Sequence, residues 1–174
     1  MGVHTVSRIK TAAGFTLVEL VVVLIIMTII LAVTIPRFAT REEFDARGFV
    51  EQTLSAIRYA QKFAVASGCD VEVNVTTTGY SLKQRAGLTG PDCHSASAFS
   101  DNVSDPSLSG AFAGNTPSGI SVSGAPVSFY YDKIGRPNDP VLGTPLTSTV
   151  SITVSGAGTG WTLTVEPETG YVHL

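Results

Sequence analysis

Few residues in this 174-residue chain are of a kind that does chemistry, and they are scattered. There are three histidines: His4 near the start, His94 in a polar stretch and His173 next to the last residue. No GxSxG, HExxH or phosphate-cradling glycine motif accompanies the abundant Ser and Thr. Asp92, Cys93 and His94 are consecutive. Adjacent side chains rarely converge on one ion, and Cys69 is the only other clear ligand, so a metal centre has little support and no cofactor is implied. These patterns point away from catalysis. The exception is Glu19, a lone carboxylate in the uninterrupted apolar run from Phe15 to Ile35, which offers no Lys, Arg or His to pair with it.

The surroundings of Glu19 define the first element. Phe15 to Ile35, as a helix, is about 31 Å long and reaches across a bilayer core. Arg8 and Lys10 precede it, which places residues 1–14 in the cytoplasm and the C-terminal bulk outside. A secretory signal would put its small-residue cut after the apolar run, where Pro36, Arg37 and Phe38 stand instead. A plain signal anchor is the simplest reading of this topology. It leaves Glu19 unexplained, because a carboxylate in a lipid-embedded helix costs roughly 2.5–3.5 kcal/mol and normally has a partner. Cutting between Gly14 and Phe15 would create one, a free α-amino group four residues before Glu19. Between two helices shifted along a shared axis, Glu19 of one could meet the amine of the next.

The run GFTLVELVVVLIIMTIILAVTIP (Gly14 to Pro36) resembles the processing and assembly signature of type IV pilins and type II secretion pseudopilins. Gly14, Phe15, Thr16, Leu17, Glu19 and Leu20 carry the match, and Pro36 corresponds to the helix-bending proline. The resemblance implies a prepilin peptidase that cuts after Gly14 and methylates the amine of Phe15. It also implies that Glu19 steers docking onto a neighbouring subunit, with other pilin subunits and an inner-membrane assembly platform as partners.

Beyond Pro36 the pattern is amphipathic. Val50, Leu54, Ile57, Gln61 and Ala64 follow helical spacing, widened by Phe49, Ala56, Ala60 and Phe63, with Glu42, Glu43, Arg47, Arg58 and Lys62 as a solvated face. Gly68 is placed to cap the end. The period then changes to two. Val71, Val73 and Val75 turn at Thr77–Gly79 into Tyr80 and Leu82. Val127, Phe129 and Tyr131 alternate, as do Val150, Ile152 and Val154, then Trp161, Leu163 and Val165. Ser155–Gly160 reads as a hairpin loop, and Glu168–Gly170 as a turn into a short closing strand. The fold class is α+β: a long N-terminal helix, half membrane span and half amphipathic, packed on antiparallel sheet. Residues 86–119 read as a long surface loop with at most one strand.

Three segments follow: a leader, 1–14; a membrane and assembly helix, 15–36; and an outer globular domain, 37–174. The outer domain holds 9 Lys and Arg against 13 Asp and Glu, a poor balance for binding nucleic acid. Cys69 and Cys93 fall in the oxidising compartment and read as a disulfide, with free thiols or a metal pair as alternatives. The stretch LSAIRYAQKFAVASGCDVEV resembles the helix end and first strand of GspH/FimT-type minor pseudopilins. FYYDKIGRPND and VEPETGYVHL are also similar to that group, especially to minor pilins of mannose-sensitive haemagglutinin-type pili. The expected role is a low-copy subunit of a pilus or secretion pseudopilus, held in the bacterial inner membrane before assembly. The alternative is an adhesive or DNA-capturing minor pilin that binds through the 86–119 loop.

Overall fold

The computed structural model describes residues 14–34, 41–85, 93 and 98–174, in two compact units, Met1–Ala39 and Thr40–Leu174. The expected leader before Gly14, Pro36 with its expected kink, Asp92 and His94 lie outside the described residues. In the first unit, α1 spans Leu17–Thr34. Thr16 caps it: its carbonyl accepts the Leu20 N–H at 3.2 Å and its hydroxyl accepts the Glu19 N–H at 3.2 Å. The apolar residues from Leu17 to Leu31 are exposed on every side, the least accessible being Val21 at 43%. The 18 residues make a helix about 27 Å long. No helix among the described residues is long and apolar enough to cross a membrane, and Ile35 and Pro36, the last residues of the expected span, are not described.

The second unit opens with α2, Arg41–Ser67. The spacing argument finds its face: Phe49, Val50, Leu54, Ala56, Ile57, Ala60 and Ala64 are buried, joined by Ala46 and Thr53. Thr53 is tolerated inside because its hydroxyl donates to the Phe49 carbonyl at 2.8 Å. Phe63 stays half-buried. The helix stops where expected, with the Gly68 N–H donating to Ala64 O at 2.9 Å and Gly68 at a φ of +72°, a conformation that favours glycine.

Ten strands follow: β1 Val71–Thr76, β2 Gly79–Arg85, β3 Phe99–Asn102, β4 Ala113–Asn115, β5 Ser121–Ser123, β6 Val127–Tyr131, β7 Pro137–Asn138, β8 Val150–Gly156, β9 Thr159–Val165 and β10 Val172–His173. They form two antiparallel sheets. The larger runs β3-β2-β1-β6-β7 with β4 also on β2, and the smaller runs β10-β9-β8-β5. Both hairpins are tighter than their composition suggests. Thr76 pairs with Gly79, so Thr77 and Thr78 make the first turn. Gly156 pairs with Thr159, which shortens the expected six-residue loop to Ala157 and Gly158, at φ +52° and +83°; two positive φ values are what a type I′ turn requires. Residues 86–119 depart from expectation more clearly, since they supply β3 and β4. These strands are short and made mostly of Ser, Asp, Asn and Gly, so they have no apolar alternation to reveal them.

One core joins the helix to both sheets, with Ile57, Val73, Leu82, Phe129, Tyr131, Ile152 and Leu163 all fully buried. Two side chains on α2 do more than fill or solvate it. The Gln61 amide donates to Gly135 O at 2.9 Å and to Thr169 O at 2.8 Å, linking the β6–β7 turn to the β9–β10 turn. Arg58 is exposed but donates to Val172 O at 3.2 Å, holding the closing strand, so it is not simply a solvated charge. Tyr131 completes this junction by donating to Gly170 O at 2.8 Å, and burial pushes its phenol pKa up. Gly170 has φ +66°, and a Cβ there would meet Gly135 O at 2.5 Å and the Tyr131 ring at 2.6 Å. Gly158 also has positive φ but nothing within 4 Å of a Cβ. Gly158→Ala should therefore cost about 1 kcal/mol through conformation alone, and Gly170→Ala at least about 2 kcal/mol more through overpacking. Urea denaturation of residues 40–174 measures both, and equal losses would show that the Gly170 contacts carry no weight.

Candidate functional site

The stretch from Gly14 to Leu20 holds the residues with the most specific chemistry. Gly14, Phe15 and Thr16 are not helical, and the Phe15 side chain is 75% exposed. A Cβ on Gly14 would meet nothing within 4 Å, so the chain's own packing does not demand glycine there. Glu19 occupies the third helical position of α1, and Thr16–Glu19 has the Thr-x-x-Glu spacing of a capping box. A carboxylate there also faces the positive end of the helix dipole. Sequence reasoning matched Thr16 to a signature and missed this local role, although the four-residue spacing was a sufficient signal.

The second cluster lies where α2 hands the chain to β1. Cys69 and Cys93 form a disulfide, with Cα atoms 5.1 Å apart and a sequence separation of 24, and Cys93 is buried. Beside it, Arg85 Nε is 3.0 Å from Asp70 Oδ2, their side chains only 13% and 7% exposed. The guanidinium lies 4.2 Å from the Phe99 ring centroid and 5.4 Å from that of Tyr130. This cluster ties the starts of β1 and β3 to the end of β2. A pair this buried is weak evidence for net stability, but removing one partner leaves a costly charge. Sequence reasoning missed it. The β1–β2 register, which sets Val71 opposite Gln84, brings Asp70 and Arg85 together one step further on.

Among the described residues, the remaining sequence candidates do not assemble into a catalytic site. His173 stacks on Tyr171, with centroids 5.6 Å apart, and its Nε2 lies 3.2 Å from Glu166 Oε1. That contact links β10 to the end of β9. Among the described residues, no group of three or more His, Cys, Asp or Glu side chains could hold a metal ion. An open groove of about 470 Å³ is lined by Glu51, Ser55, Tyr80, Asp105, Leu108 and Phe112 among others, with no histidine or cysteine in its lining.

Against known proteins, residues 9–35 match the family model of the prokaryotic N-terminal methylation motif. No curated protein matches the chain. Among solved structures it is similar to the type IV minor pilin FimU of Pseudomonas aeruginosa, at 13% identity and a TM-score of 0.48, with 76% of this chain and 90% of that one covered. It is also similar to the minor pseudopilin EpsH from the type 2 secretion system of Vibrio cholerae, at 14% identity and a TM-score of 0.48, with 76% of this chain and 94% of that one covered.

The disulfide closes a loop whose loss of chain entropy is worth about 3 kcal/mol. Non-reducing peptide mapping should recover Cys69 and Cys93 in one linked peptide. Replacing both with Ser should lower stability by about 2–4 kcal/mol and raise amide exchange in β3 more than in β8 and β9. Uniform loosening would contradict the local role.

Proposed function

We propose that the chain is a minor pilin or pseudopilin of the GspH/FimT type, added at low copy to a type IV pilus or type II secretion pseudopilus. The observation that carries this reading is the methylation-motif match over residues 9–35. α1 supports it, because a helix apolar on every side has to be covered by lipid or by protein. On this reading residues 1–14 are a leader that a prepilin peptidase removes between Gly14 and Phe15, after which the Phe15 amine is methylated. Residues 15–36 hold the subunit in the inner membrane and later in the filament, with Pro36 bending the helix. Residues 37–174 form the periplasmic domain. Glu19 pairs with the amine of a neighbouring subunit as the assembly platform extracts the chain. The role is structural and needs no catalytic centre or cofactor. DNA capture finds no favouring observation, because the outer domain carries more acid than base.

Mass spectrometry of protein from the filament fraction tests this directly. The mature chain should begin at Phe15 and carry one added methyl group. An intact leader in that fraction would overturn the proposal, and Gly14 replaced by a bulky residue should leave the leader attached.

A further inference from the structure

Thr16 stands on the boundary between two backbone states. Gly14 and Phe15 before it are not helical, and Leu17 after it is the first residue of α1. Two hydrogen bonds hold the boundary there: Thr16 Oγ1 accepts the Glu19 N–H at 3.2 Å, and Thr16 O accepts the Leu20 N–H at 3.2 Å. We infer that Thr16 is a positioning residue for the cut between Gly14 and Phe15, because its cap starts the helix two residues past the scissile bond. The inference rests on the processing reading proposed above.

The reasoning concerns the carbonyl that the peptidase must attack. In an α-helix the C=O of residue i accepts the N–H of residue i+4. With the helix starting at Leu17, the Gly14 carbonyl is outside the ladder and free to be held by the enzyme. If the start moved upstream, Gly14 O would accept the Val18 N–H, and the scissile carbonyl would be bonded within the substrate. The sequence favours such a move once the cap is gone. Ala12 and Ala13 are the best helix formers, Thr11 is the next residue of a capping type, and Gly14 alone opposes extension. At a membrane, uncapped N–H groups are costly enough to draw the helix on to the next cap. Glu19 adds to the same boundary as an acidic residue in the first turn, at the positive end of the helix dipole.

The test uses the full-length chain in detergent micelles with purified prepilin peptidase, comparing wild type, Thr16→Val and Thr16→Ser. Valine keeps the shape and loses the acceptor, whereas serine keeps the acceptor. Position 16 lies outside the Thr40–Leu174 unit, so folding of the outer domain is not at stake. Thr16→Val should lower kcat/KM about fivefold, as for loss of an ordinary cap. The loss should appear in KM with kcat kept, because the enzyme still cuts the fraction that is extended. Hydrogen exchange at the Val18 amide, which the extended helix would bond to Gly14 O, should slow in Thr16→Val, and Thr16→Ser should restore both readouts. The inference is overturned if Thr16→Val is cut like wild type, or if cutting slows while Val18 exchange is unchanged, since the enzyme would then read the hydroxyl itself. Failure to cut the wild-type chain at Gly14 would overturn the processing reading instead.

Discussion

A helix that is apolar all the way round cannot remain in water, and this constraint governs the chain. α1 exposes Leu, Val and Ile in every direction, and each fully buried aliphatic side chain gains roughly 1.5–3 kcal/mol. On the proposed reading, lipid satisfies that demand before assembly and neighbouring helices satisfy it afterwards, so one segment serves two surroundings. Neither accepts a lone charge cheaply. On that reading Glu19 is the residue that tells one surrounding from the other: in lipid it is a cost, and beside an amine it is one half of a pair.

The second unit, Thr40–Leu174, has to cover its apolar residues within itself. Its answer is a single amphipathic helix shared by two sheets. α2 buries Phe49, Val50, Leu54 and Ile57 against strands of both, so neither sheet packs without it. Gln61 and Tyr131 then fasten the turns at the junction through the carbonyls of Gly135, Thr169 and Gly170. That close approach explains glycine at position 170, where φ and crowding both exclude a side chain. The disulfide and the Asp70–Arg85 pair secure the other weak point, where the helix passes the chain to β1 and a long polar stretch begins.

How much of this was legible depended on which residues carry a period. The α2 stripe and the Val71–Val75, Val127–Tyr131 and Val150–Val165 alternations were plain in the sequence, because burial on one face writes itself into spacing. β3, β4, β5 and β7 were not, since they are two to four residues long and exist through backbone pairing with stronger neighbours. The division into two sheets was hidden for the same reason: alternation identifies strands but not their partners. At the candidate site, Glu19 stood out as a carboxylate in an apolar run, and Gly14 and Phe15 as the cut that would supply its partner amine. Thr16 did not, because a hydroxyl at a helix start is ordinary until its bond to the Glu19 N–H is seen.

The claim that most needs a direct measurement is that the charge of Glu19 serves assembly. Glu19→Ala removes both the charge and the side chain's acceptors, whereas Glu19→Gln removes the charge and keeps an acceptor. The measurement is the ratio of filament-bound to membrane-bound protein for the two variants and wild type. Loss of one partner of a buried pair costs roughly 3–5 kcal/mol, so both variants should insert and be cut, yet fall about a hundredfold or more in the filament fraction. Wild-type incorporation of both would contradict the account, and so would wild-type incorporation of Glu19→Gln alone, which would leave the charge of Glu19 without a part in assembly.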